Sequence, residues 1–272
     1  MTAFPIYSVF GGSPYVLSVL DYAKTLEENI QSLLINQNSL LRTYIESIML
    51  KEVQKAYDVR ILECIGNGKR RYSEILQQLA SSDTGLLDKQ IKNLMTMETL
   101  EKVFPINRPA DKKKQFYEIK DNLLRFYFLF VFANDALISK FGEEPFFARR
   151  ILPSLNTFIS LRFEDIVCQY FKRLAQAGKL EDVEDFGTFW YDDPATKTNG
   201  QFDCVLKKKD GYAFYEVKFY EHPMTLSECE QEEAQIKMIP NLNCAETGFV
   251  CSAGFCFTSP KYHLISAEDL YR

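Results

Sequence analysis

Histidine is scarce in this chain: His222 and His263 are the only two. Seven cysteines are present, an odd number, and no two form a C-x-x-C pair (Cys64, Cys168, Cys204, Cys229, Cys244, Cys251 and Cys256). A structural zinc site draws on clustered Cys and His, so none is expected. The cysteines read as reduced, mostly buried small hydrophobes. Long apolar runs are also missing. The longest, Leu123 to Ala133, is too short to cross a bilayer and carries Arg125. No basic, small-residue-terminated leader opens the chain, so the cytoplasm is the expected compartment and no membrane partner is expected. The loop G-x-x-x-x-G-K-[ST] is absent too. No ATP site and no ATPase activity are therefore expected from this chain. Gly66-Asn67-Gly68-Lys69 reads only as a helix-ending turn.

What is present is enough to collapse. The 272 residues are 46% apolar, with 22 Phe and 15 Tyr, which excludes a disordered chain. The length suits about two domains. Net charge is −5, unevenly spread. Residues 1–44 carry −1, residues 45–120 carry +3 and residues 121–272 carry −7. Only the middle segment has a field that favours a phosphate backbone.

Residues 1–44 open on the turn Gly11-Gly12-Ser13-Pro14 and continue as a helical segment. Thr25 and Glu28 have capping-box spacing. The segment is too small to be a domain alone. Residues 45–120 read as helices ending at Gly66, a short helix over Tyr72 to Ala80 with Ser73 near its cap, and a third helix over Thr84 to Leu100. The third helix has Leu87, Ile91, Leu94, Met95 and Leu100 on its apolar face. A strand over Lys102 to Ile106, a loop with Lys112-Lys113-Lys114 and a return strand over Phe116 to Ile119 complete the order of a winged helix-turn-helix. In that fold the third helix offers Lys89, Lys92 and Asn93, and the hairpin tip offers Lys112, Lys113 and Lys114, as the DNA-binding residues. The same charges also suit a solvated face on a protein-packing spacer.

Residues 121–272 begin with a helical lead-in (121–158): a buried helix over Asp121 to Ala133, then a linker from Phe141 to Pro153. An amphipathic helix over Ile159 to Leu174 follows. Strands are expected over Phe186 to Tyr191, Phe202 to Lys207 and Tyr212 to Tyr220, the last two joined by a D-G hairpin. A Glu-rich helix runs over Leu226 to Met238, with strand and turn over Glu246 to Cys251 and Phe255 to Phe257. Mixed strands between helices make an α/β domain. Its chemistry gathers at Glu164 on the helix, Asp203 on one hairpin strand, and Glu216 and Lys218 on the other. Glu216 and Lys218 are two apart and share a face. Carboxylates crowded together repel, and a divalent cation relieves that cost. E-x-K on a strand by itself is also the pattern of a cross-strand ion pair.

This arrangement resembles the PD-(D/E)XK nuclease superfamily, with helix Glu164, strand Asp203 and Glu216-Val217-Lys218 as its E-x-K. The resemblance implies that Asp203 and Glu216 hold Mg²⁺ or Mn²⁺, that Lys218 positions the nucleophile and that Glu164 is an accessory carboxylate. Gln235 would be the polar residue that many members keep on the following helix. Gln201 departs from the pattern, standing where an acidic residue is usual. A wider resemblance joins Gly11 to Tyr15, the winged helix, Tyr117 to Phe126, Arg162-Phe163-Glu164 and Glu216-Val217-Lys218, in that order. It is to the C-terminal half of archaeal-type AAA+ ATPases of archaea and bacteria. Residues 1–44 then look like the tail of an ATPase lid. The fold class implied is multidomain α+β: a lid-like helical segment, a winged helix-turn-helix and a restriction-endonuclease-like α/β domain. The function implied is a DNA-associated, Mg²⁺-dependent phosphodiesterase module, with an ATPase module in cis or in trans as partner. A non-catalytic regulatory or interaction module with a vestigial nuclease fold competes with it. A transcription regulator is a third reading.

Overall fold

In a computed structural model the chain is mixed α+β. The structure describes residues 3–53, 58–80, 84–180, 182–193, 197–239 and 242–271. Side chains 48–53 are not described. Of the helix break expected at Val53 to Tyr57, residues 54–57 lie outside the described residues, as do residues 194–196 of the turn expected at Pro194 to Gly200, whereas residues 198–200 of that turn belong to a strand. The chain divides into two compact units.

The first unit comprises residues up to 103 together with 115–159. It opens with α1 (Ala3–Phe10), α2 (Pro14–Ser18) and α3 (Leu26–Ile30). The capping box at α3 is formed: Thr25 accepts from the Glu28 N–H, and Glu28 accepts from the Thr25 N–H. Next come α4 (Leu40–Val53), α5 (Arg60–Gly66), α6 (Tyr72–Gln78) and α7 (Thr84–Thr96). Arg71 is the N-cap residue of α6 and Ser73 lies inside its first turn. On α7, Leu87, Ile91 and Leu94 are buried one and two turns apart, whereas Met95 is exposed. Leu100 is not helical. It starts β1 (Leu100–Val103), which pairs antiparallel with β2 (Phe116–Ile119). The positive-φ residue Glu98 turns the chain between helix and strand.

The lead-in groups with these helices. It contains α8 (Asn122–Phe126), α9 (Asp135–Phe141) and α10 (Glu143–Phe146), with wide helical turns over Tyr127–Val131 and Phe147–Ile151. The linker expected over Phe141 to Pro153 is therefore helical. Gly142, at φ +84°, ends α9. Pro145 sits in the first turn of α10, where its missing N–H has no partner to lose. The core is aromatic: Phe10, Phe126 and Phe128 are fully buried. Gly66 is required against it, because a Cβ there would come within 2.7 Å of the Phe128 Cβ. Among the described residues no single helix is long and apolar enough to cross a membrane.

The second unit comprises residues 104–114 and the chain from 160 onward. The dividing line falls inside α11 (Leu152–Gln176). Its strands are β3 (Val183–Asp193), β4 (Thr198–Lys208), β5 (Gly211–Lys218), β6 (Cys244–Cys251) and β7 (His263–Ser266), in that spatial order. The first three are antiparallel, and β6 and β7 continue in parallel. The β4–β5 hairpin closes at the Lys208–Gly211 pair, around the expected D-G turn. Gly211 has φ +143° and lies against the Asn243 backbone, so only glycine fits. Phe255 makes an isolated bridge to Met224, and the last strand lies further on, at His263. Phe189, Val205 and Phe214 pack with Ile236 of α12 (Leu226–Lys237). Tyr215, pointing to the other face, meets Phe171 of α11 at 4.6 Å. All seven cysteines are free thiols, and Cys64, Cys204, Cys229 and Cys251 are buried.

Residues 104–114 fill the outer edge of β3. The Ile106 N–H donates to the Thr188 carbonyl at 2.8 Å. Asn107 donates to the Trp190 carbonyl and accepts from the Trp190 N–H. Ile106 itself enters the core beside Phe189.

Candidate functional site

Strand pairing sets the site. The β4–β5 ladder runs to the Cys204–Tyr215 pair. One step further the strands bring Asp203 beside Glu216, and paired residues point to the same face. Glu164 approaches from α11 and hydrogen-bonds Asp203. Burial pushes the Glu164 carboxyl up to about 8, and the nearby Asp203 carboxyl and their shared hydrogen bond push the same way. Glu164 thus keeps its proton well above the usual carboxylate range. Burial also raises Glu216, against the opposing pull of Lys218, while Glu232 and Asp203 add to the rise.

Lys218 Nζ lies 2.8 Å from Glu216 Oε1 and 2.8 Å from Glu232 Oε1. Burial alone would lower the Lys218 pKa, but the two hydrogen-bonded carboxylates outweigh it and raise it. The group is a fixed ammonium at neutral pH. Gln201 donates its amide to Asp203 Oδ1 at 2.6 Å. The residue that departs from the acidic pattern is therefore a donor to the central carboxylate, and it removes a charge without leaving the site. Cys168, one turn beyond Glu164, donates to the Asp203 carbonyl.

The structure thus gathers Glu164, Asp203, Glu216 and Lys218. Gln235 is exposed on α12, and Glu232, one turn earlier, is the helix residue that reaches the site. Sequence reading passed over Glu232 because it is one of several glutamates on a Glu-rich helix. Its only local signal was its position three before Gln235, on the same side of the helix. Among the described residues, no group of three or more His, Cys, Asp or Glu side chains is arranged as a ready-made metal cage.

The expected DNA-binding residues fall in both units. Lys89 and Lys92 are exposed on α7, and Asn93 is half-buried there. Lys112–Lys114 form a short 3₁₀ turn in the second unit. Lys112 and Lys113 are exposed. Lys114 is not held out as a phosphate contact: its Nζ lies 3.6 Å from the centre of the Trp190 ring.

Residues 127–235 match DUF234, a family described as archaeal and bacterial proteins of unknown function. That stretch contains Glu164, Asp203, Glu216, Lys218 and Glu232. An uncharacterized protein of Methanocaldococcus jannaschii is 29% identical over 178 residues. The match covers 64% of this chain and 39% of that protein, so the chain spans well under half of the relative's length. No solved structure matches the chain.

Proposed function

We propose that this chain is a DNA-associated, divalent-metal-dependent phosphodiesterase module of an AAA+ ATPase, with a restriction-endonuclease-like sheet unit. One observation carries the reading: Asp203 is flanked by Glu164 and Glu216, and Lys218 is held beside Glu216. The carboxylates of Glu164, Asp203 and Glu216 are the oxygen donor type that Mg²⁺ or Mn²⁺ takes, and the cation would have to draw them into a cage that they do not form by themselves. Burial, with the Asp203 carboxylate beside it, keeps a proton on Glu164 near neutral pH, a proton that a bound cation would displace. Asp203 and Glu216 would hold the cation, with Glu164 as the accessory carboxylate. Such a cation polarises a phosphoryl oxygen and acidifies water. Lys218, fixed as an ammonium, does not take a proton. Its role is to orient the attacking water and to meet negative charge developing on the phosphate.

The helical order α5, α6, α7 followed by the β1–β2 pair supports a winged helix in the first unit, and the Tyr117 N–H donates to the Arg70 carbonyl at its base. In that unit Lys89, Lys92 and Asn93 would face duplex DNA, and Lys112 and Lys113 would be phosphate contacts of the second unit in their own right. The ATPase partner acts in cis or in trans.

The second reading is a non-catalytic regulatory, protein-interaction or DNA-binding module with a vestigial nuclease fold. The double engagement of Lys218 by glutamates favours it. Incubation with linear and supercoiled duplex DNA in Mg²⁺ or Mn²⁺ separates the two. Cleavage by the wild type, lost on chelation and in both Asp203→Ala and Lys218→Ala, is the expected result. Cleavage that persists in both variants, or none from the wild type with any metal, overturns the phosphodiesterase assignment.

A further inference from the structure

The geometry points to Glu232 as the positioning residue that keeps Lys218 in place when Glu216 turns to a divalent cation, an inference that rests on the metal-site reading above. Glu216 Oε1 is engaged by the Lys218 ammonium at 2.8 Å. A cation taking that carboxylate competes with the ammonium for the same oxygen. A lysine with Glu216 as its sole partner would lose its ion pair at that moment, and the loss would count against metal binding. Here Lys218 has a second partner at the same distance, Glu232 Oε1, on a different element. Glu232 is half-buried, so the pair is shielded from water on the helix side. The start of α12 is fixed by a capping box between Thr225 and Glu228, and Cys229 and Ile236 anchor the helix in the core. The carboxylate is thus presented from a rigid element. Its neighbour Glu233 is committed to Lys237 and Lys261 and does not substitute for it.

The test is calorimetric titration of the full chain with Mn²⁺ alone at neutral pH. The proteins are wild type, Glu232→Gln, Lys218→Met and the double variant. Glu232→Gln is expected to weaken Mn²⁺ binding about tenfold, and the penalty is expected to shrink to about twofold in the Lys218→Met background, because the two residues act as one unit. An equal penalty in both backgrounds overturns the inference, since Glu232 would then act only as a negative charge near the site. Unchanged affinity in Glu232→Gln overturns it as well, while leaving the metal site standing. A flat wild-type titration removes the metal-site reading and the inference with it. If Glu232→Gln does not fold, as judged by circular dichroism, Glu232→Asp serves in its place. The shorter arm is expected to weaken binding too, and wild-type affinity there overturns the inference.

Discussion

Glu232 and Glu233 are neighbours on α12, yet they belong to opposite kinds of charge cluster. Glu232 reaches a group in which Glu164, Asp203 and Glu216 gather with one ammonium, Lys218. Glu233 alone draws two ammonium groups and a phenol: Lys237 at 2.8 Å, Lys261 at 2.5 Å and the Tyr262 hydroxyl at 3.0 Å. Burial works against ionising Glu233, but those three hydrogen bonds win and its pKa falls to about 2. Burial acts in the same sense on Glu164, and no cation compensates it fully, so its pKa rises to about 8. The two environments share a sheet and a helix. They differ in whether the chain supplies its own counter-charge. A balanced cluster ties Lys261 and Tyr262 to α12. The unbalanced one is the place to look for a ligand that brings positive charge.

The largest expected effect separates the clusters by pH. The folded-state pKa of Glu164 lies above its ordinary 4.5, so the folded chain keeps a proton the unfolded chain gives up. That contribution is full below about 4.5 and is lost as pH rises through about 8. Between pH 5 and pH 9 it amounts to about 2 kcal/mol after discounting for a half-buried group, or roughly 5 °C in melting temperature. In Glu164→Gln the decline should shrink by that amount, as followed by thermal unfolding across the range. An identical pH profile in the variant would dissolve the contrast. Next in size, saturating Mn²⁺ should raise the wild-type melting temperature at pH 8 by several degrees and leave Asp203→Ala unmoved. An equal rise in both proteins would put the cation elsewhere.

Glu233→Gln probes the balanced side. It should cost about 1–2 kcal/mol in urea unfolding at pH 7, since a neutral amide keeps fewer of the three hydrogen bonds. The pH sense is the reverse of that for Glu164. The Glu233 contribution is full above about 4.5 and falls away as pH drops through about 2. A Glu233→Gln protein as stable as wild type at pH 7 would mean that the network is ornamental. Smallest of all is Lys261→Ala, which leaves Lys237 and Tyr262 on Glu233 and should lower stability less than Glu233→Gln in the same assay.

Much of this was readable from local pattern. The Asp-Gly turn and the alternation around it gave the β4–β5 hairpin, and from it the pairing of Asp203 with Glu216. Thr25–Glu28 announced the cap of α3, and Leu87, Ile91 and Leu94 announced the buried face of α7. What local pattern could not carry were contacts between residues far apart in sequence. Lys114 over Trp190 and Glu232 on Lys218 depend on how elements pack, which no spacing along one segment encodes. Gly142, Pro145 and Pro153 read as breakers, yet a glycine that ends one helix and a proline in the first turn of the next leave the segment helical. Leu100 sits at a helical spacing from its predecessors, and the reversal at Glu98 hands it to a strand instead.

The seating of Ile106 and Asn107 along β3 means that the sheet unit is not one continuous stretch of chain. A fragment begun at residue 121 would contain all five strands and both covering helices. It would still lack a wall of its own hydrophobic core, with Phe189 uncovered where Ile106 belongs and the outer backbone edge of β3 left open to pair with another chain. Anyone dissecting this molecule by sequence boundaries would harvest an aggregation-prone sheet and mistake a missing eleven-residue patch, 104–114, for intrinsic instability of the domain.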